Sequence, residues 1–212
     1  MRIIFHIGAG KTGTSSIQKA LSKNTKELEG AGVKYLGMML ENACVQKYSW
    51  QRPTTVNPDF YALTIADACD QVCDVISSEM ASGAAQGCAT FIWSNESFFD
   101  HGEHVIPIIK AISERGIEIR VVVYIRGYEK WLRSAYIQWG IKHKTYKGKV
   151  QSFAQWVKRN PPALHARLSA YCSEFADATD IINIEALEHG DVVENFLSLI
   201  SVTLRGVEYQ RV

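Results

Sequence analysis

Five short apolar stretches that alternate with amphipathic segments constrain the fold of this chain most strongly. The predicted strands are 2–7, 33–37, 88–94, 117–126 and 180–185. Helical patterns lie between them, among others at 14–32 and 128–143. Such alternation is typical of parallel strands joined by right-handed crossovers, with helices on both faces of the sheet. The sequence therefore predicts one three-layer α/β/α domain over residues 1–212 with a mainly parallel sheet. The very apolar strand 117–126 is expected at its centre.

The bulk composition excludes several classes of protein. The chain has 212 residues, 47% hydrophobic content and a formal net charge of +1, which argues against a generic electrostatic grip on nucleic acid or on an anionic membrane. No segment approaches the ~20 apolar residues of a membrane span, so we expect no stable membrane insertion. The start of the chain lacks a signal-peptide pattern. The five cysteines are irregularly spaced, which makes a zinc site improbable and favours a cytoplasmic location.

A glycine-rich stretch, "HIGAGKTGTSSIQ" (6–18), joins the first predicted strand to the first predicted helix. A nucleotide-triphosphate loop requires G-x-x-x-x-G-K-[ST]. If Gly10 preceded the essential lysine, the opening glycine would fall at Phe5, in mid-strand. If Gly8 and Gly13 were the two glycines, the lysine position would be Thr14. Neither register fits, so the triphosphate reading fails on spacing.

The same stretch has the components of a different anion cradle. Its glycines permit a tight turn with successive N–H groups facing inward, and the N-terminus of the following helix adds partial positive charge. Lys11 supplies a full charge, and we expect Thr14 to cap the helix. The predicted ligand-binding residues here are Gly8, Gly10, Lys11, Thr12, Gly13, Thr14 and Ser15. The alternative is a strand-to-helix turn that binds no ligand.

A second motif lies in "YIRGYEKWLRSAY" (124–136), where a predicted strand ends at Arg126 and Ser134 follows in the next helix. A guanidinium group suits a phosphate monoester, and a hydroxyl group completes its coordination. Helical periodicity places Ser134 away from the apolar face. The alternatives are a surface ion pair of Arg126, for instance with Glu129, and a solvated position for Ser134.

Together, these two motifs resemble those of sulfotransferases with a P-loop NTPase-like fold, and the opening of the chain resembles bacterial members. The resemblance implies that the glycine-rich loop holds the 5′-phosphosulfate of 3′-phosphoadenosine 5′-phosphosulfate, with Lys11 at the bridging oxygen. It implies that Arg126 and Ser134 hold the 3′-phosphate. The product would be adenosine 3′,5′-bisphosphate, and no metal is required. One departure is Gly10, which stands where the family has proline.

Sulfuryl transfer requires a base for the proton of the acceptor. The family uses His or Glu, and in its cytosolic members the catalytic histidine lies just past the strand that corresponds to 88–94. Glu96 occupies that place here, and the resemblance implies that it is the base, with Ser94 and Asn95 as orienting groups. The alternative role for Glu96 is a helix cap. Glu41 and His6 are weaker candidates for the base. We expect His6 to be a hydrogen-bonded residue of the core.

Other features remain open at the sequence level. The long loop, residues 38–58, could lie over a site, and its aromatic neighbours Tyr48, Trp50 and Tyr61 could stack on a ligand or pack the loop down. The family's C-terminal 3′-phosphate segment is not matched by "TLRGVEYQRV", which suggests a minimal or truncated member. The expected acceptor is a small-molecule, glycan or lipid hydroxyl group or an amine, and not nucleic acid. A kinase or NTPase and an inactive nucleotide-binding module are the competing hypotheses.

Overall fold

The computed structural model describes residues 1–144, 146–159, 163–187 and 191–203, and its centre is a five-stranded sheet. The strands are β1 (Arg2–His6), β2 (Val33–Tyr35), β3 (Thr90–Ser94), β4 (Glu118–Ile125) and β5 (Thr179–Asn183). All four pairings between neighbouring strands are parallel, in the order β2-β3-β1-β4-β5. The central strand is therefore β1, and the prediction that 117–126 is central was wrong. β4 lies one place further out, between β1 and β5.

Helices cover both faces of this sheet, which confirms the predicted three-layer architecture. They are α1 (Thr14–Lys23), α2 (Thr25–Gly30), α3 (Pro58–Tyr61), α4 (Ile65–Ala85), α5 (Ser97–Asp100), α6 (Gly102–Ser113), α7 (Tyr128–Ala135), α8 (Phe153–Arg159), α9 (Leu164–Phe175) and α10 (Val192–Leu199). A π-helix, Tyr136–Lys142, continues α7, and two 3₁₀ turns are Ala176–Ala178 and Ile184–Ala186. Within the described residues, no helix is both long and apolar enough to cross a membrane.

Alternation along the strands divides the apolar core into two layers. Ile3 and Phe5 of β1 face the layer that contains α4, α6 and the buried Tyr171 of α9. Ile4 faces the other layer, with Ile17 of α1 and with α10. Because side chains alternate along a strand, β1, β3 and β4 each contribute to both layers. This packing fixes the carboxyl ends of β1, β3 and β4 at one edge of the sheet, where the candidate site lies.

Two predicted helices differ from the structure in an informative way. The segment 14–32 is interrupted at Asn24, whose side-chain amide donates to the carbonyl of Ala20 at 2.7 Å and separates α1 from α2. The segment 128–143 passes from α-helix to π-helix at Tyr136. A Cβ atom at Gly140 would lie 2.4 Å from the Tyr136 ring, so glycine is required where the wider turn brings these two residues together.

Candidate functional site

The glycine loop, residues 8–13, connects β1 to α1 at the centre of the sheet edge. The Ala9 N–H donates to the carbonyl of Tyr124 at 3.1 Å, which ties the start of the loop to β4. Lys11 has a φ of 72° and Gly13 a φ of 90°. A non-glycine residue in this region is strained, and such strain is often found at ligand sites. Among the described residues, the N–H groups of Lys11, Gly13, Thr14 and Ser15 have no hydrogen-bond partner, so they are available to an anion.

Three polar side-chain atoms surround Gly8. A Cβ atom there would lie 2.9 Å from Thr14 Oγ1, 3.1 Å from Thr12 Oγ1 and 3.3 Å from His6 Nε2. Thr12 Oγ1 donates to the carbonyl of Ala9. In contrast, Thr14 Oγ1 and His6 Nε2 are buried and have no partner. Buried polar atoms without a partner are costly, and in a functional protein they point to a bound group that completes them.

The predicted helix cap was placed one residue too late. Gly13, not Thr14, is the N-cap of α1, and its conformation is left-handed. A Cβ atom at Gly13 would lie 2.6 Å from Val192, so the contact with α10 also requires glycine. The Thr14 hydroxyl group therefore does not cap the helix.

His6 is the last residue of β1 and is completely buried. Its Nδ1 lies 2.8 Å from Ser94 Oγ at the end of β3. Burial lowers the pKa of His6 to about 3, so the ring is neutral at physiological pH. The expected hydrogen-bonded core histidine is confirmed, and its second nitrogen faces the glycine loop.

Two tryptophans of the α7 region hold Gly10. The Trp131 indole N–H donates to the carbonyl of Gly10 at 2.8 Å. A Cβ atom at Gly10 would lie 3.5 Å from the Trp139 ring, an ordinary van der Waals contact. The backbone at this position, where the family has proline, is therefore held by contacts from another segment of the chain.

Arg126 lies just past the end of β4 and is half-buried. Its partner is Glu185, with 3.5 Å between Nε and Oε1, and not Glu129. Lys130 lies 3.1 Å from the same carboxylate. The separation leaves Arg126 Nε buried without a hydrogen bond. Arg126 therefore does form an ion pair, as the alternative prediction stated, but its partner is Glu185.

A cavity of about 200 Å³ is lined by Arg126, by Ala9 of the glycine loop and by Trp131 of α7. Leu164 and Leu168 of α9 also line it, and Ser134 does not. Ser134 is half-buried on α7 and makes no hydrogen bond within the described part of the chain. Its hydroxyl group is therefore free, as the periodicity of the helix predicted.

Glu96 follows β3 and is partly buried. It stands at the N-cap position of α5, but its side chain makes no capping hydrogen bond. Burial raises the pKa of Glu96, the positive charge of Lys11 lowers it, and Asp100 raises it. The carboxyl group is thus within electrostatic range of Lys11, and both roles for Glu96 stay open, because it lies at the N-terminus of α5 but makes no capping hydrogen bond.

The neighbours of Glu96 do not orient it. Ser94 Oγ is paired with His6. Asn95 donates to the carbonyl of Met38 at 3.0 Å and accepts from the Ser97 N–H at 2.9 Å. The expectation that Ser94 and Asn95 position Glu96 was therefore wrong, because both side chains are used to join other segments.

The long loop is packed down by its own polar and aromatic side chains. The Glu41 carboxylate accepts from the N–H groups of Met38 and Met39 at 2.9 and 2.7 Å. Trp50 is buried, stacks on Tyr48 and donates to Gln71 at 2.7 Å. The hydroxyl oxygen of Tyr61 lies 2.7 Å from that of Ser97. These aromatic residues fix the loop against the rest of the protein.

Sequence reasoning missed two contributors to this edge of the sheet. Glu185 lies two residues past the end of β5, and its position at the end of the predicted strand 180–185 was the available signal. The Trp131 and Trp139 contacts with Gly10 had no local signal, because they depend on tertiary packing. The C-terminal candidates Arg205, Gly206 and Arg211 lie outside the described residues.

Comparisons with known proteins assign no family to this chain. No protein-family model matches the chain, and no curated protein matches it in sequence. Among solved structures, the tunicamycin resistance protein of Deinococcus radiodurans is similar, with 14% identity, a TM-score of 0.49, and coverage of 96% of this chain and 97% of that chain. A likeness of this size does not establish a shared family or activity. The parallel three-layer α/β/α class follows from the sheet itself.

Proposed function

We propose that this protein is a sulfotransferase that transfers a sulfuryl group from 3′-phosphoadenosine 5′-phosphosulfate to a hydroxyl or amine acceptor. One observation carries the proposal: two buried polar atoms without partners, Thr14 Oγ1 and His6 Nε2, converge at Gly8 beneath a loop with free N–H groups. Lys11 makes no ion pair among the described residues. Unused backbone N–H groups, the Thr14 hydroxyl group and the unpaired Lys11 cation at a helix N-terminus fit an anion.

The residues present fit the two ends of the donor. The glycine loop, with the hydroxyl groups of Thr14 and Ser15, would hold the phosphosulfate. Arg126 and Ser134 would hold the 3′-phosphate, since both carry donors that no other residue uses fully. The cavity beside Arg126 has a mainly apolar lining and reaches Ala9 of the glycine loop. It is therefore available for the remainder of the nucleotide.

Each charged residue has a distinct chemical role in this proposal. The donor supplies the sulfuryl group, whose bond to the bridging oxygen breaks as a bond to the acceptor oxygen or nitrogen forms. Glu96 takes the proton from the acceptor, and its raised pKa makes it a stronger base than an exposed glutamate. Lys11 stabilises the negative charge that develops on the bridging oxygen.

A phosphate group can bind Arg126 only if the carboxylate of Glu185 moves away from the guanidinium group. This carboxylate lies beside Arg126 and Lys130, where it would repel a phosphate group. The pair with Arg126 is long, and both side chains are partly exposed, so its contribution to stability is small. A 3′-phosphate carries more charge than one carboxylate and would replace Glu185 as the partner of the guanidinium group.

The competing functions make different demands on the same residues. A kinase or NTPase requires a lysine at the position of Thr14 and a magnesium-binding acid at the end of a strand, where the chain has Arg126 after β4 and Glu96 after β3. An inactive module of the same fold would bind the nucleotide without turnover. We therefore place the sulfotransferase ahead of the kinase, since it accounts for both Lys11 and Arg126. We place it ahead of the inactive module, since it also gives Glu96 a role.

Calorimetric titration with adenosine 3′,5′-bisphosphate, compared with ATP plus magnesium, tests the proposal. We expect preferential binding of the bisphosphate. Arg126→Ala should weaken binding by about 10- to 100-fold, the cost of a lost charge-assisted contact. Arg133→Ala is the matched control, because Arg133 lies on the neighbouring helix and is exposed without an ion pair among the described residues. Preferential binding of ATP, or equal effects of both variants, would contradict the proposal.

A further inference from the structure

The basic and acidic residues of this chain are separated to a degree that its net charge conceals. Residues 130–173 contain nine lysines and arginines and neither aspartate nor glutamate. The remaining 14 basic and 22 acidic residues give the rest of the chain a net charge of −8. A formal charge of +1 therefore describes neither part, and the argument from net charge against an anionic surface does not apply to this segment.

Most of these cations form no ion pair within the described part of the chain. Lys130 pairs with Glu185, and Arg167 pairs with Asp100. Lys144 donates to the carbonyl groups of Tyr146 and Gly148. Within the described residues, six others form no ion pair: Arg133, Lys142, Lys147, Lys149, Lys158 and Arg159. Their charge is therefore available to an external anionic surface.

Large apolar side chains are exposed among these cations. They are between 39% and 51% exposed: Ile137, Trp139, Ile141, Val150 and Phe153. Ile137 and Ile141 are one turn apart on the π-helix, and the Phe153 ring packs 5.4 Å from that of Tyr136 on the same helix. We call this set of cations and apolar side chains, within residues 133–159, the basic face.

We propose that the basic face docks on the surface of an anionic lipid bilayer. Lysines attract the acidic headgroups, while exposed aliphatic side chains and a tryptophan enter the interface between headgroups and acyl chains. A soluble polyanion such as an acidic glycan would use the lysines but would leave Ile137, Ile141 and Val150 in water. The aliphatic component therefore favours a bilayer over a glycan or a nucleic acid.

The position of Trp139 joins this face to the candidate site. Its ring lies against Gly10 of the glycine loop and 6.1 Å from the ring of Trp131, whose N–H holds the Gly10 carbonyl. Docking through Trp139 would place the glycine loop next to the headgroup layer. Lipid headgroups with a free hydroxyl group would then be within reach of the loop.

Vesicle flotation with the full chain tests this proposal without any nucleotide, so its result is independent of the proposed enzymatic activity. The probes are vesicles of phosphatidylcholine with 30 mol% phosphatidylglycerol (roughly the anionic charge density of a cytoplasmic leaflet) and vesicles of pure phosphatidylcholine. We expect binding to the anionic vesicles only. The fluorescence of Trp139 should shift to the blue on binding, and Trp139→Phe should abolish that shift.

Two sets of variants separate charge from insertion. Replacement of Lys142, Lys147 and Lys149 by Gln should lower the partition coefficient by on the order of a hundredfold. The matched control replaces Lys19, Lys23 and Lys26 by Gln, since these are exposed lysines outside the basic face, in α1 and α2. Ile137→Ser with Ile141→Ser should lower partition by roughly tenfold or more. All changes are at exposed positions, and thermal unfolding verifies the fold.

Three results would overturn the proposal. One is the absence of vesicle binding, with or without binding of heparin as a soluble polyanion. The second is vesicle binding that the Ile137 and Ile141 substitutions leave unchanged, since this would be electrostatic adsorption without insertion. The third is equal loss in the control lysine variant, because binding would then follow total charge and not the basic face.

Discussion

The glycine loop and the long loop both cover the same edge of the sheet, yet they use their polar groups in opposite ways. In the long loop, Gln51 is buried and accepts from the N–H groups of Lys47 and Tyr48 while it donates to the carbonyls of Leu40 and Val45. On either side of the glycine loop, His6 and Thr14 each bury a polar atom that has no partner among the described residues. The long loop satisfies its own buried polar groups, whereas in our proposal a bound ligand satisfies those at the glycine loop.

The largest expected effect is on turnover, through Glu96. We expect Glu96→Gln to lower sulfuryl transfer by about 10²–10⁴-fold, as for removal of a general base. Affinity for adenosine 3′,5′-bisphosphate should be unchanged. Release of the bisphosphate product, with 4-nitrophenol as a surrogate acceptor, measures the rate. Glu129→Gln is the control, because Glu129 is exposed on α7. Activity unaffected by Glu96→Gln would exclude the proposed base.

We also expect Glu96→Gln to leave the free energy of unfolding at pH 7 unchanged or to raise it. Burial raises the pKa of Glu96, so the folded state binds its proton more readily than the unfolded state. This residue therefore contributes less stability as pH rises through its raised pKa. Glu96→Gln should be at least as stable as the original protein at pH 7. A loss of about 1 kcal/mol in chemical unfolding would instead indicate the capping role.

The next effect concerns the charge in the glycine loop. Lys11→Met should lower the transfer rate by about 10²–10³-fold, the typical cost of removing one electrostatic stabiliser of the transition state. Lys19→Met is the matched control, because Lys19 is exposed one turn into α1. Equal rates for the two variants would show that the glycine loop does not act on the leaving group.

The long loop should respond in stability and not in binding. Gln51→Ala removes four hydrogen bonds from a buried position, and we expect it to lower the free energy of unfolding by about 1–3 kcal/mol. Affinity for the bisphosphate should remain. Gln86→Ala, at an exposed position in the turn after α4, is the control. A free energy of unfolding near that of the control would contradict the claim that the hydrogen bonds of Gln51 stabilise the long loop.

The smallest expected effect, that of Thr14→Val, distinguishes the glycine loop most clearly from the long loop. Thr14→Val keeps the shape of the side chain and removes a buried hydroxyl group that has no partner. We expect the ligand-free protein to gain about 1 kcal/mol of stability and to bind the bisphosphate more weakly. Urea unfolding with and without the bisphosphate measures both. If Thr14→Val lowered stability, its hydroxyl group would have a structural partner and would not be reserved for a ligand.

The sequence was sufficient for the fold class and for the strand ends that form the site. The alternation of strands and helices determined the parallel sheet, and the glycine spacing located the loop after β1. Other features depend on tertiary contacts. The π-helix arises where Gly140 meets Tyr136, and Gly13 becomes the helix cap where Val192 approaches it. The pairing of Arg126 with Glu185 joins residues 59 positions apart in sequence, which no local pattern reveals.

The central claim is that the glycine loop, and not the long loop, receives the ligand. Backbone amide NMR during titration with adenosine 3′,5′-bisphosphate tests it most directly. The account predicts large shifts at Lys11, Gly13, Thr14 and Ser15, a further shift at Arg126, and little change across 38–58. Shifts concentrated in the long loop, or an unchanged glycine loop at saturating ligand, would contradict it.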